Sequence, residues 1–258
     1  MKNTPETVQK TTLAESNVNA LASSWLEKVR QYFARIRELL KSIRALLINP
    51  DDTEKAFEII GELRGKELRK SFSRFQNSVY GNKILQKQVD LIDVLNDRKT
   101  LATLDENSLG QVYLKFIDAN QLSPDGLVDA SADTYPDIQD ENVLRYAQRN
   151  RDSHDLWHTL TQYGRDPLGE LCLLAFTYAQ TQNSGVGLIA LIGSFRFYRI
   201  YGHGTFGAIW RAYRDGKQAS WLPEQPFEDM LSLNIEHVRI MLSIPPPTAY
   251  LLVMSRQR

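Results

Sequence analysis

Apolar residues recur at intervals of three and four along most of the chain, the period of helices that bury one stripe. Trp25, Leu26, Val29, Phe33, Ile36, Leu40, Ile43 and Leu47 form the longest stripe and predict an amphipathic helix over 25–47. Lys28, Arg30, Arg35, Arg37, Lys41 and Arg44 outnumber Glu27 and Glu38 on its other face. That face suits an anionic membrane surface or plain solvent, and the stripe suits core packing or a homodimer. Asn49-Pro50-Asp51 ends this helix, and Asp52 or Thr53 can cap the next, over 54–64. Further helices are expected over 67–79, 86–96 and 108–120, the last opening at Ser108. The stretch 121–139 is rich in Pro, Asp and Ser and reads as a long surface loop.

From Asp140 one helix is expected to run through RNRDSHDLWHTLTQYG to Gly164. Asp166 as N-cap and Pro167 at the first helical position open another. Its body, LGELCLLAFTYAQ, is apolar on most sides and predicts burial. A glycine-rich turn at 183–187 then precedes a helix over 188–201, and a last helical segment over 227–242 stops before Pro245-Pro246-Pro247. No alternating strand pair stands out. The expected fold is all-α: a flexible polar leader over 1–20, then one multi-helix domain over 21–258.

Charge and cysteine content narrow the function. Thirty-one basic residues balance thirty-one acidic ones, so the excess of Lys and Arg that displaces phosphate counterions is missing and nucleic acid is not an expected partner. Cys172 is the only cysteine, which excludes an internal disulfide and a cysteine metal cluster. Residues 1–20 have no Arg, include Glu6 and Glu15, and lack an apolar run, so no import signal is read there. The weakly charged stretch 181–195 contains three glycines and falls short of the ~20 apolar residues that span a bilayer. These features predict a cytoplasmic protein, at most peripheral on the inner face of the plasma membrane.

Candidate chemistry gathers at His154-Asp155-Leu156-Trp157-His158. At ~100° per residue, His154, Asp155 and His158 share an arc of about 100° on one helix. Two imidazole nitrogens and a carboxylate suit a divalent ion: zinc first, with iron, manganese or magnesium as alternatives. The turn at 164–167 lets the next helix fold back as an αα-hairpin and bring Glu170 toward the same place. The competing reading is structural, with both histidines in ordinary hydrogen bonds and Glu170 complementing a helix N-terminus. Arg149 and Arg151 precede this cluster and read as solvated surface arginines or as partners of an anionic group. Other classes fit less well. No histidine precedes His154, against a metal phosphohydrolase of the HD type; no Gly-x-Ser-x-Gly elbow is present; His203 and His237 have no partner at metal spacing.

The run His154-Asp155-x-x-His158, then Gly169-Glu170 eleven residues on, resembles the HDxxH-x11-E motif of the Coq4 family. Arg149-Asn150-Arg151-Asp152-Ser153 resembles the basic run before that motif, and Ser123-Pro124-Asp125 its upstream loop. Pro50, Ser108-Leu109-Gly110 and the 221–247 segment follow in similar order, so the resemblance spans roughly 30–247. The chain departs from the pattern at Cys172, Leu173 and Ala175, where a Lys and a second Glu are expected, and at 181–185. The resemblance implies a ubiquinone-biosynthesis protein that binds a polyprenylated aromatic acid or isoprenoid lipid. It also implies a metal at the head group and C1 decarboxylation of the ring, coupled to oxidation. Leu173, Phe176, Leu188, Leu191 and Phe195 are the candidate walls of the tail pocket. The alternative it implies is a non-catalytic isoprenoid-binding scaffold that organises other quinone-biosynthesis proteins.

Overall fold

The computed structural model describes residues 37–46, 48–49, 52–63, 65–87, 89–123 and 138–257, with isolated positions before 37. Of the expected 25–47 helix, residues 37–46 (α1) are helical; its remaining apolar positions, the 1–20 leader and most of the 121–139 loop lie outside the described residues. The elements that follow are α2 (Thr53–Leu63), α3 (Glu67–Asn77), α4 (Val79–Lys87), α5 (Leu91–Asn96), α6 (Arg98–Ala102) and α7 (Leu109–Ala119). After them come α8 (Glu141–Asp152), α9 (His154–Thr161), α10 (Pro167–Thr181), α11 (Ser184–Tyr201) and α12 (Gly204–Gln218). A 3-10 turn (Leu222–Glu224) leads to α13 (Phe227–Met230), α14 (Ile235–Met241) and α15 (Thr248–Ser255). The fold is all-α; the only extended pairing among the described residues is an isolated bridge between Ser108 and Asn234.

Side-chain caps fix most helix starts. Ser108 accepts from the Gln111 N–H, Asp140 from Asn142 and Val143, Asp166 from Leu168 and Gly169, and Asn183 from Gly185 and Val186. Each satisfies backbone donors that the first turn leaves orphaned. Two expectations on boundaries are corrected here. The helix expected over 140–164 breaks at Ser153, whose hydroxyl bonds back to the Asn150 carbonyl, 3.1 Å away, and α9 starts afresh. The glycines of 183–187 make no turn; Asn183 caps α11 ahead of them and they lie inside the helix, where a side chain at Gly185 would stand 2.6 Å from the Ile59 carbonyl of α2.

Helix α10 is the hub, packed against α11 and α12 along its length and against α9 and α15 at its N-terminal half. Close approach of α12 depends on Gly216, where a Cβ would lie 2.7 Å from the Phe176 carbonyl. One core joins α7, α9, α10, α12 and the C-terminal elements around Leu156, Trp157, Leu173 and Phe176. A smaller one joins Phe72, Phe75, Ile84, Val143, Tyr146 and Trp221. Helix α11 packs on both α10 and α2, and residues of all three helices line a cavity.

Candidate metal centre

One helical turn separates His154 from His158, so both project from the same side of α9, their rings 4.8 Å apart and nearly perpendicular. Helix α9 ends at Gln162, which takes a left-handed conformation with φ of 60°. The chain then reverses through Gly164 and Arg165 to Asp166. Gly169 permits the tight reversal: a Cβ there would lie 2.1 Å from the Gly164 carbonyl oxygen. The next residue, Glu170, is thereby delivered to the histidines. Ligand atoms of His154, His158 and Glu170 all lie within 4.8 Å of one another.

Hydrogen bonding determines what these atoms offer. His158 is fully buried, and its Nδ1 lies 2.9 Å from the Tyr163 carbonyl. A carbonyl only accepts, so Nδ1 carries the proton and the Nε2 lone pair is free. That Nε2 has no hydrogen-bond partner among the described residues and stands 3.3 Å from Glu170 Oε2. A lone pair facing a carboxylate oxygen repels it, so a proton or a cation belongs between them. His154 repeats the arrangement. Its Nδ1 meets Asp155 Oδ1 at 3.2 Å, and its Nε2 faces Glu170 Oε2 at 3.9 Å. Asp155, expected as a fourth ligand, is not among the three whose atoms converge; it orients His154 from behind, as carboxylates commonly do for ligating imidazoles. Arg165 holds Glu170 Oε1 at 3.0 Å and leaves Oε2 to the cluster.

The electrostatics agree with a cation-ready cluster. Burial alone would lower the His154 pKa, but the hydrogen bond and charge of Asp155, with Glu170, hold it above the usual imidazole value. Burial alone would raise Glu170, yet His158, His154 and Arg165 hold its carboxyl below the usual range. Asp155 is likewise lowered against its burial by His154 and His158. Two imidazole nitrogens and one carboxylate oxygen form a donor set that fits a divalent ion with room for an exogenous ligand. The orphaned Nε2 of His158 is the observation that makes the fit specific.

His154 and Glu170 also enter the wall of a cavity of about 620 Å³. Phe57 and Ile60 of α2, Leu171 and Leu174 of α10, and Leu188 and Ile192 of α11 supply its apolar lining, and Arg151, Arg165 and Arg196 also line it. Arg151 therefore lines it, its guanidinium on Asp152 at 2.7 Å. Arg149 does not. It is buried, bonded through both terminal nitrogens to Glu228 and to the Gln225 carbonyl, and lines a separate cavity of about 280 Å³.

Of the five residues expected around a lipid tail, only Leu188 lines this cavity. Leu173 and Phe176 face the closed core on the opposite side of α10, Phe176 against Trp157. Leu191 and Phe195 point outward. The wall of α10 is the stripe Pro167, Glu170, Leu171, Leu174 and Thr177, all within about 60° of Leu174 on the helix, whereas Leu173 lies about 100° and Phe176 about 160° away. Arg165 was missed because it sits in the turn, where no periodicity applies.

Comparison with known proteins adds to this geometry. The sequence pattern of the family described as coenzyme Q (ubiquinone) biosynthesis protein Coq4 matches residues 30–248. The mitochondrial ubiquinone biosynthesis protein coq4 of Talaromyces stipitatus is 30% identical over 191 residues, 70% of this chain and 62% of its own length. The mitochondrial COQ4 homolog of Danio rerio is 27% identical over 197 residues, 75% of this chain and 70% of its own. The chain thus spans roughly two thirds of the length of these relatives. A crystal structure from Nostoc punctiforme, of a protein provisionally assigned to ubiquinone biosynthesis, superposes with a TM-score of 0.56 at 20% identity. It covers 83% of this chain and 96% of its own, a likeness of fold.

Proposed function

Because the chain belongs to the Coq4 family of coenzyme Q (ubiquinone) biosynthesis proteins, we propose that it binds a polyprenylated aromatic acid and, with a divalent metal at His154, His158 and Glu170, removes the C1 carboxylate of the ring. The observation that carries this reading is the convergence of three ligand atoms within 4.8 Å in the wall of an apolar cavity. A metal held there by His154, His158 and Glu170, zinc first, would supply Lewis-acid stabilisation of a carboxylate or phenolate.

The chain's own residues do the rest. Tyr163 and Asp155 fix the proton on Nδ1 of each histidine, so that both present Nε2. Arg165 and Arg151 line the cavity beside the cluster and offset the charge of an acidic head group. Phe57, Ile60, Leu171, Leu174 and Ile192 exclude water and take up the isoprenoid tail. A volume of about 620 Å³ is in the range that holds a drug-sized ligand, so it accommodates the ring and the first part of a tail.

Supplying the metal-loaded protein with a short-chain prenylated 4-hydroxybenzoate and measuring carbon dioxide release tests the reading. Release with dioxygen present and not without it marks the oxidative form of the reaction. Ligand binding with no product under either condition would refute turnover and leave an isoprenoid-binding scaffold.

A further inference from the structure

The outward side of α11 and α12 carries apolar surface that the cavity does not use. Leu191 and Phe195 are 56% and 63% exposed, and Phe206 and Trp210 are 38% and 63% exposed. Each pair spans one helical turn, and the Phe195 and Phe206 rings meet 5.5 Å apart across the two helices. The patch is therefore continuous, and a chain rarely leaves such surface to water without a partner.

The charge around it has one sign. Helix α11 contains no Asp or Glu, and the single acid of α12, Asp215, is buried and paired with Arg211 at 2.8 Å. Arg199, Arg214 and Lys217 are exposed, and at ~100° per residue each lies within about 40° of Phe195 or Trp210 on its helix. No acid among the described residues pairs with these three.

We propose that this face docks on an anionic phospholipid membrane, with Phe195, Phe206 and Trp210 among the head groups and Arg199, Arg214 and Lys217 against lipid phosphates. Aromatic rings ringed by Arg and Lys are the side chains that anchor at a membrane interface, where apolar bodies bury and charged tips stay with the phosphates. A second copy of the chain fits less well, since a two-fold contact would set this basic rim against itself. The opposite side of α11, through Leu188 and Ile192, lines the cavity, so docking sets the cavity against the lipid through one helix. Docking by this face requires nothing of the metal cluster.

Co-sedimentation of the purified protein with phosphatidylcholine vesicles, with and without about one third phosphatidylglycerol, tests it, since each basic residue near an anionic surface contributes about fivefold. Binding should appear with phosphatidylglycerol, weaken at least tenfold in its absence, and weaken as much again in Phe195→Glu and Trp210→Glu. Arg199→Glu and Lys217→Glu should remove the preference for phosphatidylglycerol. Circular dichroism checks that these surface variants stay folded. Absence of binding, or binding that the variants leave unchanged, would overturn the assignment. So would a dimer that the variants convert to monomer without effect on vesicles, which would make the patch a subunit interface.

Discussion

Tyr250→Phe isolates the contact by which the C-terminal helix holds the turn before Glu170. The Tyr250 hydroxyl donates to Asp166 Oδ2 and accepts the Gly164 N–H at 3.2 Å, while Asp166 Oδ1 caps Leu168 and Gly169 at 3.2 and 3.0 Å. Burial and the Asp166 carboxylate push the Tyr250 pKa up, so it remains a donor at any working pH. Phenylalanine keeps the ring and its edge contact with Tyr163, 5.6 Å away. What is lost is one hydrogen bond to a charged group, about 1.5–3 kcal/mol, and one neutral bond of about 1 kcal/mol. Asp166 is only half-buried, and water recovers part of this, leaving a cost of about 2 kcal/mol. For a chain of this size that lowers the thermal midpoint by about 4–8 °C. Urea denaturation of the wild type, Tyr250→Phe, Asp166→Asn and the double variant measures it, and the double variant should cost about 1 kcal/mol less than the sum of the singles. A cost below about 0.5 kcal/mol, or full additivity, would refute the clamp.

Three further outcomes are expected. His154 is held above its usual value, so its contribution to metal-free stability is complete below pH ~6.5 and lost as pH rises through the raised value. Glu170 and Asp155 are held low, and theirs is lost only in acid, as pH falls through their lowered values. A metal must displace the His154 proton, so raising pH through that value should weaken the metal-free protein while strengthening the loaded one; parallel pH profiles would count against the cluster. Arg149→Met should cost about 3–5 kcal/mol by leaving Glu228 without its buried partner, with metal content unchanged in protein that folds; an effect on ligand binding at constant stability would return Arg149 to the head group. Ile192→Trp should abolish binding of an apolar fluorescent probe while retaining metal, and unchanged probe affinity would place the lipid elsewhere.

Local chemistry made the site legible in the sequence. The His154/His158 spacing, the Asp166-Pro167 start and Gly169-Glu170 are all set within a few residues, and the structure brings three of the four expected ligand residues together. Asp155 could not be separated from them by spacing, because its distinction is which atom it faces: Nδ1 of His154. The tail wall was less legible. Helices α10 and α11 have apolar residues on nearly every side, so the pattern says they are buried without saying which face meets a cavity and which meets the core. Leu173 and Phe176 went to the core for that reason, and Leu191 and Phe195 to the surface. Helices α4, α12 and α15 also went unread; α12 has Gly204, Gly207 and Gly216, and α15 follows three prolines, signals that ordinarily mark loops.

Metal content tests the central claim most directly. Elemental analysis of the purified protein, after reconstitution with zinc, iron(II) or manganese, should give about one ion per chain. The ion should be lost in His158→Ala and Glu170→Ala, and held about 10–100-fold more weakly in Asp155→Asn, which acts through His154. A protein that takes up none of these ions, or takes them up equally well without His158, would contradict the account.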